Sequence, residues 1–311
     1  LSLVTEYAQH QFIFGPDELC KLRSTIGSYD KSVIEHALSY FTPDNIRLKV
    51  ISKDVKTTQV CAFYEAEYSV EKIDAGLLQK LSSPSPISEL QLPPPNPYLA
   101  NEYSLILPET GFNIPNKLVD TGGYRFWFAQ DQQFHSPKGD IYISFDAAKF
   151  SDSLLSVAAK RIWLGALNDH LQAKYYRAEI AGLHYRIYGH QAGFTLHTRG
   201  FTNQQTFLAN ELLDAVLDFV PDERAFEHHK TLQLQSLHNS LLNKPTNRLF
   251  SRLSVLIQRN TQAPVELLDV IDTISYEQML NFRTRAFEHY FIEAFIHGNW
   301  ASEEAKAFSA N

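Results

Sequence analysis

Cysteine is scarce: Cys20 and Cys61 are the only two in 311 residues. Two thiols so far apart build neither a disulfide framework nor a CxxC metal or redox motif, so both are expected to be small buried hydrophobes. Methionine is scarcer, with Met279 alone. The chain starts at Leu1 without the basic-then-apolar pattern of a secretory leader, as a processed piece or a cloned fragment would. No apolar stretch is long enough to span a bilayer, which argues against a membrane partner. Charge of one sign is not concentrated either. A net charge of −7 without long runs offers no basic face for a phosphate backbone, and so argues against nucleic acid.

The usual catalytic signatures are missing too. GxSxG, a P-loop, GxGxxG, HExxH and its inversion HxxEH do not occur. Glu precedes His in IEHAL, FEHHK and FEHYF, but no second His stands three residues before the Glu. The acid pairs Asp17–Glu18 and Glu303–Glu304 lie near helix ends as surface acids.

What is present is a core. Hydrophobic residues make up 44% and aromatics 13%, which suits a folded chain rather than a disordered one. Six prolines mark SSPSPISELQLPPPNPYLANEY, Ser82 to Tyr103. Proline lacks the amide N–H and fixes φ, so this stretch is expected to run extended, as neither helix nor central strand.

Ahead of it, GPDELCKLRSTIG and SYDKSVIEHALSYFTP carry helix signals, and Pro43 stops the second. NIRLKVIS alternates as a strand with one buried face would. Beyond it, YRFWFAQD and GDIYISFDA predict strands, with Pro137, Lys138 and Gly139 as turn residues between them. A long helix is expected from a cap at Ser151 or Asp152 to Gly182. Five helical segments follow across 202–289, and YFIEAFIHGN closes as a strand. The helix-then-strand pattern of 29–52 and 276–299 suggests that the N-terminal part is the tail of a homologous domain.

AGLHYRIYGHQAGFTLHTRGF reads as two strands of period two. Leu183, Tyr185 and Ile187 share one face; His184, Arg186 and Tyr188 the other. Phe194, Leu196 and Thr198 likewise alternate with Thr195, His197 and Arg199. No acid or thiol stands at ligand spacing beside His184, His190 or His197, so these are expected to be structural or solvent-facing rather than metal-bound. His228 and His229 are adjacent on a helix, and neighbours at i and i+1 do not share a face, which predicts a solvated surface. His297 sits in a strand-exit turn. No catalytic and no metal-binding residue is expected.

Several blocks nevertheless form a pattern. Asn96, Pro97, Tyr98 and Leu99 precede Trp127, Phe128, Asp131, Phe134, Pro137 and Lys138. Ala178, Glu179, Ala181, Gly182, Leu183 and Tyr185 follow, then TRGFTNQQ, where Asn203 and Gln204 depart from the pattern, and finally Glu293, Ala294, His297, Gly298 and Asn299. Together they resemble the central region of the insulinase/pitrilysin family of zinc metallopeptidases.

The resemblance implies an α+β fold, with a mostly antiparallel sheet covered by helices on one face, preceded by the truncated tail of a homologous domain. It divides the chain into the end of a preceding domain (1–75), a Pro-rich inter-half linker (76–112) and a complete, inactive third domain (113–311). Zinc, on an HxxEH motif plus a downstream Glu, would then lie elsewhere in the parent, with no cofactor in this chain. Peptide substrates and the remaining domains of the same parent are the implied partners. His184, Arg186, Tyr188, His197 and Arg199 would line the peptide chamber. Such relatives occupy either the periplasm or the cytosol. The rival expectation is a lapsed, non-catalytic scaffold or peptide-binding protein.

Overall fold

The structure is a computed structural model that describes Thr5, Ala8 and residues 28–83, 87–92, 94–258 and 261–310. The helix expected over GPDELCKLRSTIG lies outside these residues. The chain divides into two compact units, Leu1–Pro93 and Pro94–Asn311.

In the first unit, α1 (Lys31–Leu38) starts where Asp30 accepts a hydrogen bond from the Ser32 amide at 2.8 Å. Strands β1 (Gln59–Val60) and β2 (Glu67–Tyr68) pair antiparallel. Helix α2 (Ala75–Ser82) is capped by Asp74, which accepts from the Leu77 amide at 3.0 Å. Neither helix buries a residue. The strand expected at NIRLKVIS is absent: residues 46–52 carry no strand, and Ile46, Leu48 and Val50 are exposed. Alternation supplies a face, but a strand needs a ladder partner, and among the described residues none runs beside this segment. Among the described residues, 83–103 carry neither helix nor strand, as expected of the proline-rich span. Helix α2 overlaps the start of the segment expected to be linker (76–112), and from Pro94 onward the chain belongs to the second unit.

The second unit is built on one sheet, ordered β3-β4-β8-β5-β7-β6. Its strands are β3 (Asn116–Asp120), β4 (Tyr124–Gln130), β5 (Lys138–Asp146), β6 (His184–Gly189), β7 (Gly193–Phe201) and β8 (Phe291–Gly298). Only β4 and β8 run parallel; every other pair is antiparallel. The two strands expected around the Pro137 turn both form, but they are not neighbours, because β8 lies between them. Lys138 and Gly139 belong to β5 itself.

Helix α3 (Leu154–Ile180) is the centre of the helical layer. Ser153, not Ser151 or Asp152, caps it by accepting from the Ser156 amide at 3.1 Å. Asp152 instead accepts from the Ser156 hydroxyl at 2.6 Å. The helix ends as the sequence predicts. Gly182 adopts φ +78, and the amides of Leu183 and Gly182 reach the carbonyls of Ala178 and Glu179 at 3.0 and 3.1 Å. A left-handed glycine that closes these two bonds satisfies the final carbonyls.

Helices α4 (Thr202–Asp218), α5 (Glu223–Leu241), α6 (Pro245–Ile257), α7 (Pro264–Thr273), α8 (Tyr276–Ala286) and α9 (Ser302–Ser309) complete the unit. Strand β3 and helix α9 had no clear signal in the sequence. Helices α5, α7 and α8 pack on α3, α3 on β6, α4 on β7 and α9 on β4. Between helices and sheet lies an aromatic core. Phe145 stacks on Phe194 at 4.8 Å, and Trp163 meets Phe194 at 5.5 Å. Phe126, Phe128, Ile141, Ile143, Leu196 and Ile296 fill the rest.

Two tests follow from this packing. Gly298 has φ +141, and a Cβ there would stand 2.4 Å from Gly139 Cα. Gly298→Ala should lower the urea-unfolding free energy by about 1–3 kcal/mol or more; an unchanged midpoint would contradict the close approach of β5 and β8.

Lys160 is 5% exposed, and its Nζ donates to the His190 carbonyl at 2.6 Å. Burial, with Arg161 adding to it, pushes its ammonium from 10.5 down to about 8. The folded state thus releases this proton before the unfolded state does. The unfolded chain binds more protons between the two values, so stability contributed by this group rises with pH there. Half-buried Tyr124 and Tyr185, whose phenols desolvation raises to about 12 from 10.0, act oppositely at higher pH. Lys160→Met should therefore flatten stability between about pH 8 and 10. Denaturant titrations at stepped pH measure it, and an identical slope in both proteins would refute it.

Candidate functional site

One face of the sheet carries the core, and period-two geometry sends the alternate residues to the other. Register joins these alternate residues into rows across all six strands. The middle row runs Lys117, Trp127, Phe295, Tyr142, His197, Arg186. Tyr142 stacks on His197 with centroids 4.1 Å apart and planes 5° apart. Phe295 lies 6.3 Å from Tyr142, and His297 6.2 Å from Phe295. Lys117 Nζ stands 5.9 Å from the Trp127 ring, within cation–π range.

Carboxylates fix the row from both sides. Asp140 Oδ1 lies 2.7 Å from His197 Nε2 and 3.9 Å from Arg199 Nε. Glu293 Oε1 accepts from Trp127 Nε1 at 2.8 Å and Arg125 Nη1 at 3.5 Å. Asp120 accepts from Lys117 and from Arg125 Nε at 3.3 Å, and the Lys117 hydrogen bond chiefly holds its carboxyl below the usual range. Burial, aided by Asp140, raises the Tyr142 phenol. The surface is thus aromatic at the centre, with charges of both signs around it.

The five residues singled out in the sequence all lie on this face. Arg186 pairs in register with His197, His184 with Arg199, and Tyr188 with Thr195. They do not converge on one point. His184 is exposed and bound to Glu179 Oε2 at 2.5 Å, while His197 is held by Asp140. The residues that give the face its character, Trp127, Asp140, Tyr142, Glu293 and Phe295, were not among the wall residues expected from the sequence, although Trp127 and Glu293 stand in the family-like blocks. Apolar residues occupy both faces of YRFWF and FIEAFI, so period-two contrast is weak there.

Ser144, His190 and Asp146 come together without forming a relay. Ser144 Oγ and Asp146 Oδ1 both face His190 Nε2, at 3.1 and 3.6 Å. A nucleophilic triad needs serine and carboxylate on different ring nitrogens.

His229 departs from expectation. It is not on a solvated helix face but 6% exposed, with Nε2 2.9 Å from Asp169 Oδ2 of α3. Spacing along one helix cannot show a partner on another. Asp169, His228 and His229 place ligand atoms within 4.8 Å of one another, the one such group found among the described residues. They border a cavity of about 850 Å3.

Residues 1–270 match the family model described as the middle or third domain of peptidase M16. The chain belongs to that family. It is 26% identical over 309 residues to an insulin-degrading enzyme of Drosophila melanogaster, covering 98% of this chain and 31% of that protein. It is 26% identical over 282 residues to the A-factor-processing enzyme of Saccharomyces cerevisiae, covering 89% of this chain and 27% of that one. The crystal structure of pitrilysin shares the fold, with a TM-score of 0.76 at 20% identity, over 99% of this chain and 33% of that chain. The chain therefore spans about a third of the length of these relatives.

In this M16 chain the family-like blocks act as fasteners. Asn96 donates to the Arg177 carbonyl at 2.7 Å, and Tyr98 hydrogen-bonds Glu211. Asp131 Oδ1 accepts the amides of Gln133 and Phe134 at 3.0 and 3.1 Å. Asn299 bonds Ile106 N at 2.8 Å and the Ser104 carbonyl at 2.9 Å.

His197 is mostly shielded, so its carboxylate partner should matter. Asp140→Ala is expected to cost about 1–3 kcal/mol, and Asp140→Asn, which keeps an oxygen acceptor, clearly less. Chemical denaturation of the two variants decides; equal stability of Asp140→Ala and the parent would show that the pair contributes nothing.

Proposed function

We propose that this chain is the non-catalytic central part of an insulinase/pitrilysin-type zinc metalloendopeptidase, and that the helix-free sheet face forms part of the wall that encloses peptide. In this reading residues 1–75 end a preceding homologous domain and 113–311 make up the third domain. The connection between the halves runs within 76–112, its later part anchored on the second unit through Tyr98. Zinc and its HxxEH ligands belong to another part of the parent, where zinc-activated water would attack the peptide bond.

The supporting observation is the row Trp127, Phe295, Tyr142, His197, Arg186 with its flanking ions. Flat aromatic side chains contact apolar peptide groups at low entropy cost, and charges of both signs tolerate varied sequences. Nothing on the face has the geometry of a nucleophile with its base. Recognition by surface, with cleavage supplied elsewhere, suits relatives named for acting on insulin and on A-factor.

Titration of labelled insulin or an unrelated unfolded peptide with the chain, followed by anisotropy, tests the proposal. The chain should bind without cutting. Tyr142→Ala and Arg186→Ala should each weaken binding roughly fivefold or more, equivalent to about 1 kcal/mol. Peptide cleavage by the purified chain would defeat the non-catalytic assignment. Undiminished binding by both variants would defeat the assignment of the face.

A further inference from the structure

The cavity beside α3 and α5 lies in the helical layer, away from the open sheet face. Asp169 comes from α3, and His228 and His229 from α5. Consecutive helical side chains diverge by about 100°, yet the ligand atoms of His228 and His229 lie within 4.8 Å of each other and of Asp169 on the neighbouring helix. The rings of His228 and His229 meet edge to face at 5.1 Å.

Two further features mark the arrangement as built. His229 is buried, and its ring is oriented by the 2.9 Å contact to Asp169. Gly165, one turn before Asp169, leaves the space this ring fills: a Cβ there would stand 2.6 Å from His229 Nδ1. The cavity wall is also more acidic than basic, with Asp169, Asp214, Asp218 and Asp222 against Lys174 and Arg224.

We propose that Asp169, His228 and His229 bind a divalent transition ion of the zinc class and so clamp α3 to α5. Two imidazoles and one carboxylate suit Zn2+, Co2+, Ni2+ or Cu2+ rather than the all-oxygen preference of Mg2+ and Ca2+. Ligand atoms about 2.0–2.2 Å from a tetrahedral ion stand about 3.4 Å apart. The present group is looser, within 4.8 Å. Exposed Asp169 and His228 are free to rotate inward, while buried His229 is already fixed. Cavity water completes the coordination. The ion binds the folded state alone and therefore raises its stability.

The test uses the chain stripped by chelator, titrated with Co2+ in the visible range and with Zn2+ by calorimetry. One equivalent of Co2+ should bind with tetrahedral absorption, Zn2+ should displace it, and the thermal midpoint should rise with Zn2+. His228→Ala and Asp169→Asn alter exposed positions and should keep the fold. Each should lose more affinity than the about 10–100-fold that removal of an outer-shell partner costs. His238→Ala, an exposed histidine on the same helix, should bind as the parent does. Absence of saturable binding by the parent chain overturns the site. So does unchanged affinity in both ligand variants, or an equal loss in His238→Ala. These outcomes are independent of peptide binding on the sheet face.

Discussion

Strand β8 is the constraint on which the second unit rests. It arrives last among the strands, at Phe291–Gly298, and lies between β4 and β5 in the middle of the sheet. It satisfies β4 in parallel and β5 antiparallel along its whole length. Without it the sheet would be two separate pieces with four edges instead of two. The insertion requires close backbone approach at its end. There Gly298 faces Gly139, and the Trp300 ring occupies the space a Gly139 side chain would take. Because β8 is more than 140 residues from β5, the central pairing closes a long stretch of chain against a large loop entropy.

The pairing also decides which side chains meet. Once β8 is in place, Phe126, Ile296, Ile141 and Leu196 face the helices while Trp127, Phe295, Tyr142 and His197 face away. The magnitudes on the two sides differ. Each large side chain fully buried on the helical side contributes about 1.5–3 kcal/mol. Each half-exposed ion pair on the open side contributes about 0–1 kcal/mol. Stability therefore comes almost entirely from one face. The composition of the other is left free to serve contact, which is why its concentration of aromatics calls for a functional account.

What the sequence made legible follows the same physics. Local signals read correctly: the period-two faces of β6 and β7, the glycine stop at Gly182, and the helical runs from 202 to 286. Signals that depend on a distant partner did not. IEAFIHG and IRLKVIS look alike as strands, yet one is flanked by β4 and β5 while the other has no partner among the described residues, and only the first is a strand. The hairpin suggested by Pro137 and Gly139 fails for the same reason, since nothing local announces a strand arriving from residue 291. On the candidate site, His184, Arg186 and Tyr188 were visible through clean alternation on an edge strand. Phe295 was hidden because β8 is largely apolar on both sides, whereas Tyr142 sits on the polar face of the cleanly alternating β5 and was readable there. His229 was misjudged because its partner, Asp169, lies on another helix.

Most residues of the recognisable family blocks fasten the chain, although Trp127, Arg199, Glu293 and His297 lie on the open face. Asn96, Tyr98, Asp131 and Asn299 satisfy backbone amides, carbonyls or the half-buried Glu211 where the chain enters and leaves the sheet. A hydrogen bond of this kind contributes about 0.5–1.5 kcal/mol, and these positions serve the fold whatever the domain does. Peptide contact and ion binding make no such demand on the fold. Helix α3 ties the cavity to the rest of the unit. That helix supplies Asp169 to the cavity, Lys160 to the β6–β7 turn and Arg177 to the entering segment at Pro94. Motif resemblance in this chain therefore reports architecture first, and the chemistry must be read from the open face and the cavity themselves.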